Sequence, residues 1–330
     1  MARSALTLAA LATSAVAGLE VAGVQGFGSD GEGDFDAALL TGSDGRHWIV
    51  RVPRSEHAEA EQSADLVALR ALSTGVRKRL PFAVSTFAGQ APVGGTRAVV
   101  YEFVYGSKIG LADVDPQLGD SIGAAVAAIH ALPTSFVVDA GLPAHSAVDA
   151  HRATVALMKR AASTGLVPAA LLDRWEGAAQ DAGLWQYTPV VTNGALSADS
   201  FLVASGAVTG VLGWHSLRVG DPAADLQWML AAPVPGAADA AFDAYLKSRG
   251  PIDRRMRQRA ALLAELEVAR WLMHGTETRS TEIVDDAVQM LSQLVDDAQR
   301  DVLDPISPAT APVLGVDEVE DLLDRTARAR

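Results

Sequence analysis

Over its first hundred positions the chain alternates apolar and polar residues in short runs broken by glycine turns. This period-two pattern marks strands with one buried face. "FDAALL" and "HWIVRV" are two such runs, and the Gly42-Ser43-Asp44-Gly45 turn between them predicts a hairpin. From Glu56 to Leu72 the spacing becomes helical, with acids outside and Leu66, Leu69 and Leu72 on the inner face. "FAVSTFAG" and "RAVVYEFVYG" return to strand, so the order before Gly106 is strand, strand, helix, strand, strand.

The remainder is mostly helical. "DPQLGDSIGAAVAAIHALP" predicts a buried alanine-rich helix stopped by Pro133. Helical spacing recurs over 148–163 and 168–180, the second opened by Pro168. Two short strands follow, "TPVVTN" and "SFLVAS", then a third, "GAVTGVLGW". Long helices are expected over 237–249, 252–274 and 280–303, the last with an apolar stripe of Ile283, Ala287, Leu291, Leu294 and Val302. "DPISPATAPVLG" reads as a proline-broken linker. The tail "VDEVEDLLDRTARAR" carries acids first and arginines last, which suits a helix dipole. The expected division is a sheet-bearing 1–104, a helical 105–304 and a linker with tail at 305–330. No internal repeat is visible.

Composition narrows the function. Of 330 residues, 49% are hydrophobic and 20% charged, enough apolar content for a real core. A formal net charge of −13 repels phosphate backbones, so a nucleic-acid partner is not expected. The absence of cysteine removes disulfides, thiolate metal sites and cysteine nucleophiles. The histidines lack zinc-type spacing; His145 and His151 fall on opposite faces of a helix. No apolar run reaches the ~20 residues that span a bilayer, so no membrane partner is expected. "MARSALTLAALATSAVAG" imitates a secretory signal. It also reads as an amphipathic helix with Leu8, Leu11, Ala12, Ala15 and Leu19 on one face, and the strand-like start that follows favours a cytoplasmic chain. Trp175, Trp185, Trp214, Trp228 and Trp271 are expected in the core, and "RRMRQR" (Arg254 to Arg259) on a solvated face or partner contact.

Four stretches together resemble a known family. "WIVRVP" is similar to the third strand of a kinase small lobe, and "YEFVYG" to the hinge that holds adenine. "AAVAAIHALP" is similar to a helix ending in a Leu-His pair, and "GVLGWHSLRVGDPAADLQWM" to the metal-binding strand with its Gly-Asp-Pro segment. The chain thus resembles the aminoglycoside/macrolide phosphotransferase-like branch of the protein-kinase-like family over roughly residues 5–300. The resemblance implies an α+β, bilobal fold with a small antiparallel-sheet N-lobe and a mainly helical C-lobe, and ATP as the candidate nucleotide.

Phosphoryl transfer needs a cation on the phosphates, an acid for the hydroxyl proton and oxygens for Mg²⁺. Residue by residue, the resemblance assigns the phosphate cation to Arg51 and its helix partner to Asp65, with Glu102 and Val104 on the hinge. Arg51 also reads as a strand residue facing solvent. The catalytic-loop pattern, His-Gly-Asp, four intervening residues and then Asn, falls on Asn193-Gly194-Ala195 and Ser200. The catalytic Asp is therefore Ala195, and the metal Asn is Ser200. The metal strand's Asp becomes Gly213, within Leu212-Gly213-Trp214. Alanine accepts no proton, and a positioned acid–base group contributes about 10²–10⁴ in rate. A hydroxyl is a poorer Mg²⁺ ligand than an amide carbonyl or carboxylate, and the neutral imidazole of His215 suits softer metals. Asp199 either swings toward a metal or turns its own loop. Asp221 and Asp225 match acids the family keeps and are expected to cap and brace. The acids Asp30, Glu32 and Asp34 among the glycines of "GFGSDGEGDF" oppose ATP phosphates, which leaves a turn or a nucleotide cover.

These substitutions imply a pseudokinase with a binding or regulatory role, its ligand a protein partner or a small molecule. ATP remains the candidate cofactor and Mg²⁺ is not expected. Two other readings stand beside it: an active small-molecule phosphotransferase with relocated metal ligands, and a partner-binding module acting through the tail.

Overall fold

The computed structural model describes residues 3–28, 33–250, 253–299 and 306. The expectations for Asp30 and Glu32, for Val302, and for the linker and tail other than Ile306 lie outside the described residues. The chain divides into two compact units, Met1–Val155 with Trp185–Ala264, and Ala156–Leu184 with Glu265–Arg330.

The first part of the chain runs α1 (Ala5–Ala15), β1 (Val21–Gly26), β2 (Phe35–Gly42), β3 (His47–Pro53), α2 (Glu56–Ala71), α3 (Thr74–Arg77), β4 (Ala83–Val84), β5 (Phe87–Val93) and β6 (Thr96–Glu102). Five of these strands form an antiparallel sheet in the order β1-β2-β3-β6-β5. The turn joining β2 to β3 is the expected one, and Gly45 takes φ +78° there, a left-handed value that favours glycine. Strand pleating puts alternate residues on opposite faces. Ala38, Leu40, Val50, Val52, Ala98 and Val100 face the buried side of α1, formed by Leu8, Ala9 and Ala12. The N-terminal apolar stretch therefore forms a helix that covers one face of the sheet. Its last turn lies so close to β5 that a Cβ at Gly89 would come within 2.1 Å of the Ala15 carbonyl. Val99 and Tyr101, on the other face, join Leu66, Leu69 and Leu72 of the α2 region in a second core.

Next come β7 (Ser107–Lys108), α4 (Pro116–His130), α5 (Ser135–Asp139), α6 (Ala147–Ser163), α7 (Ala169–Gln180), β8 (Val190–Thr192), β9 (Phe201–Ala204), β10 (Ala207–Val211), β11 (Arg218–Gly220), α8 (Ala237–Arg249), α9 (Met256–Thr278) and α10 (Thr281–Gln299). Asp115 caps α4 by accepting from the Leu118 amide, with Pro116 in the first turn. Gly119 and Gly123 of α4 let the α8 backbone approach closely: a Cβ at Gly123 would meet the Ala241 carbonyl at 2.0 Å. Two small sheets, β4-β10-β9-β7 and β11-β8, carry the loops of interest. β10 ends at Val211, so Leu212, Gly213 and Trp214 leave the strand expected to include them.

In the second unit, Trp175 is fully buried and its indole donates to Glu265 Oε2 at 2.8 Å. Burial pushes the Glu265 carboxyl up, against the pull of Arg174 and the indole. Ala287 and Leu291 of the predicted α10 stripe are buried. Among the tryptophans, Trp175 and Trp214 are core, whereas Trp271 is 39% exposed. The basic run departs further from expectation. Met256 and Arg259 are buried, and Arg259 bonds Asp221 Oδ2 at 2.9 Å and pairs with Asp253. Helical spacing turns one arginine of the run inward, where two carboxylates offset its desolvation.

Candidate functional site

The loop after β8 is built around one carboxylate. Asp225 is fully buried. It accepts from the amides of Asn193 at 2.8 Å and Gly194 at 2.7 Å, and contacts His130 Nε2 at 3.1 Å. His130 Nδ1 lies 2.9 Å from the Tyr245 hydroxyl. The imidazole thus bridges the Tyr245 hydroxyl and Asp225, with Nε2–H donating to the acceptor-only carboxylate. Burial raises Tyr245 to about 12, which keeps the hydroxyl a donor. Asp221 accepts from the Ala223 amide at the turn opened by Pro222. Both acids therefore cap and brace as expected.

Asn193 ties the loop to the stretch after β10. Its Nδ2 donates to the Gly213 carbonyl at 2.9 Å and its Oδ1 accepts from the Ala195 amide at 3.2 Å. Gly194 takes φ +84°, and a Cβ there would lie 2.6 Å from the Ser216 carbonyl and 2.9 Å from Arg218 Cζ, so only glycine fits. Arg218, which the sequence reading passed over, donates to the Gly194 carbonyl at 3.0 Å. The structure thus brings together Asn193, Ala195 and Gly213. Ala195 is exposed and presents a methyl group.

The metal candidates are otherwise engaged. Ser200 Oγ accepts from the Ser197 amide at 3.2 Å. Asp199 accepts from Ser197 Oγ at 2.5 Å and lies 3.9 Å from Lys108 Nζ, both side chains well exposed. Gly213 has φ +70° and open space around a notional Cβ. Among the described residues no group of three or more His, Asp or Glu gathers in an arrangement that could hold a metal ion. At the positions that the family resemblance assigns to the metal ligands and the proton acceptor, Gly213 and Ala195 carry no side-chain oxygen and Ser200 carries only a hydroxyl, a set that does not fit Mg²⁺.

Arg51 and Asp65 lie near one another without forming an ion pair within 4 Å. The Arg51 guanidinium stacks 3.8 Å over the Phe35 ring. Asp65 Oδ1 instead accepts from the Trp214 amide at 2.7 Å, which ties α2 to the residue after Gly213. Burial raises the Asp65 carboxyl, and the Trp214 N–H, Arg51 and His215 oppose that shift. Tyr101, beside it, is pushed well above the ordinary phenol range, first by burial and then by the Asp65 charge. On the hinge, Glu102 pairs with Arg46 at 2.6 Å. The Val104 side chain covers Gly210 of β10, where a Cβ would meet it at 2.6 Å.

Tyr245 and Arg218 were missed, and Arg259 was expected on a solvated face, because each bonds a partner more than 20 positions away. His130 carried a signal at the end of the α4 pattern, through the Leu-His resemblance.

The sequence model of the phosphotransferase enzyme family matches residues 28–263. No curated protein sequence matches the chain. Among solved structures, the apoenzyme of macrolide 2'-phosphotransferase MphH from Brachybacterium faecium is 22% identical, with 87% of this chain and 98% of that chain covered at a TM-score of 0.71. A macrolide 2'-phosphotransferase type I is 23% identical, with 88% and 98% covered and a TM-score of 0.68. The GDP and kanamycin complex of an APH(2")-type protein is 18% identical, with 89% and 99% covered and a TM-score of 0.69. At these identities the likeness establishes the kinase-like fold: an antiparallel-sheet N-terminal region followed by a helical C-terminal region.

Proposed function

The chain belongs to the phosphotransferase enzyme family, and from that premise we propose that it is a pseudokinase, a phosphotransferase scaffold kept for binding or regulation. One observation carries the reading. The loop is held in place by Asp225 and Asn193, yet presents Ala195 where a proton acceptor belongs and lies against Gly213 where a metal carboxylate belongs. Fold does not convey activity; the site does. Without a carboxylate, neither the incoming alcohol nor a divalent ion is held for in-line transfer. Arg51 and the hinge residues Glu102 and Val104 remain as a candidate metal-independent nucleotide contact.

The competing reading is an active phosphotransferase acting on an alcohol, with relocated metal ligands. It draws on the structural neighbours, which are macrolide phosphotransferases and a kanamycin-bound relative. A reading through the C-terminal tail concerns residues outside those described. The deciding experiment is ATP turnover with Mg²⁺ or Mn²⁺ against macrolides, aminoglycosides and metabolite alcohols. No phosphorylated product is expected. Steady product formation that Arg51→Ala abolishes would overturn the proposal.

A further inference from the structure

We infer that a cavity beside the degenerate loop binds an oxyanion carried on an apolar body, a carboxylate or a phosphate monoester. The cavity measures about 420 Å³. Ser216 and Arg218, which help line it, are the residues against which Gly194 packs. Val67, Leu142 and Leu217 supply apolar wall, and Val67 is 45% exposed. His145, His215 and Arg218 supply the polar groups, and no acid lines the cavity. On a chain of formal charge −13, a lining with a guanidinium and without a carboxylate is a local departure from the acidic surface.

Arg218 decides the ligand's charge. It is half-buried and donates to the Gly194 carbonyl. Among the described residues it has no carboxylate within ion-pair distance. A guanidinium presents five N–H donors in a planar fork that fits carboxylate or phosphate in bidentate fashion. Glu61 lies 3.8 Å from His215, Asp65 also bears on that imidazole, and Asp149 bears on His145, so both imidazoles have acids nearby. A cationic ligand faces the like charge of Arg218, and a neutral one offers its fork no opposite charge. An oxyanion on an apolar body satisfies both the fork and the wall.

This rests on the binding role proposed above only in treating this face as ligand-binding. Its test contains no nucleotide, so detection of phosphorylation would overturn that reading and leave this one standing. The full chain is titrated calorimetrically with phenylbutyrate, phenylbutyl phosphate, phenylbutanol and phenylbutylammonium. Binding is expected for the oxyanions, the tighter of the two naming the head group, with alcohol and ammonium weaker by about tenfold or more. Arg218→Gln is expected to weaken oxyanion binding by about tenfold or more, and Arg218→Lys, which keeps the charge without the fork, by less. His145→Gln, remote from the Gly194 contact, is expected to weaken it a few-fold; thermal melts check that each variant folds. Equal binding of alcohol or ammonium, no oxyanion binding at millimolar concentration, or wild-type affinity in both Arg218→Gln and His145→Gln would overturn the inference.

Discussion

Replacing Asp225 tests whether one carboxylate organises the degenerate loop. The wild-type side chain is fully buried and serves the amides of Asn193 and Gly194 and the imidazole of His130. Asp225→Ala strips the acceptor from all three groups in a place water does not reach. An unsatisfied buried donor costs about 1–3 kcal/mol. The three donors therefore sum to about 3–6 kcal/mol once partial relaxation is allowed, a large share of the roughly 5–15 kcal/mol that holds a typical domain together. Asp225→Asn keeps one acceptor oxygen and turns an NH₂ toward the other donors, so about 2–3 kcal/mol is expected from it. Urea denaturation followed by tryptophan fluorescence reads both values from the shift in midpoint at unchanged slope. A loss below about 1 kcal/mol for Asp225→Ala would refute the bracing role, because ordinary surface substitutions change stability by only half that.

Three further outcomes follow from named contacts. The Asp65 carboxyl is raised in the folded state, so its contribution is full below the unfolded value near 3.8 and is lost as pH rises through the folded value. Asp65→Asn keeps an acceptor for the Trp214 amide and should gain on the wild type as pH climbs through that window. Urea titrations from pH 4 to 7 that show no widening difference would refute this. Gly123→Ala drives a methyl group into the Ala241 carbonyl and should cost about 1–3 kcal/mol; Gly177→Ala in α7, with nothing within 4 Å, should instead gain up to about 1 kcal/mol from helix propensity. Melting temperatures of equal sign for the two would count against the close α4–α8 approach. The triple variant Ala195→Asp, Ser200→Asn, Gly213→Asp has open space at position 213 and a left-handed backbone that aspartate adopts at a cost of about 1–2 kcal/mol. It should acquire a melting shift that requires both ATP and Mg²⁺, while none is expected for the wild type; an equal shift in the wild type would contradict the pseudokinase reading.

The sequence by itself determined the order of the longer strands and helices, since periodicity and turn residues act locally; the short α3, β4, β7, α5 and β11 were not read from it. It also carried the spacing, from Asn193 to Ser200 and around Gly213, on which the family resemblance assigns the altered positions. The bracing roles of Asp221 and Asp225 were legible too, from their place around Pro222. Only the tertiary structure decided what those positions do now. Asp65 binds the Trp214 amide rather than Arg51, and Arg51 lies over Phe35, because the packing of α2 and β2 sets which partner is nearest. Arg259 entered the interior of its unit, though its basic run promised surface, because the distant Asp221 joins the nearby Asp253 on its guanidinium. Arg218 gained its place at a cavity mouth by the same means. A hydrogen bond or ion pair needs two groups within about 3–4 Å, and for residues tens of positions apart that distance is set by the fold, not by their spacing along the chain.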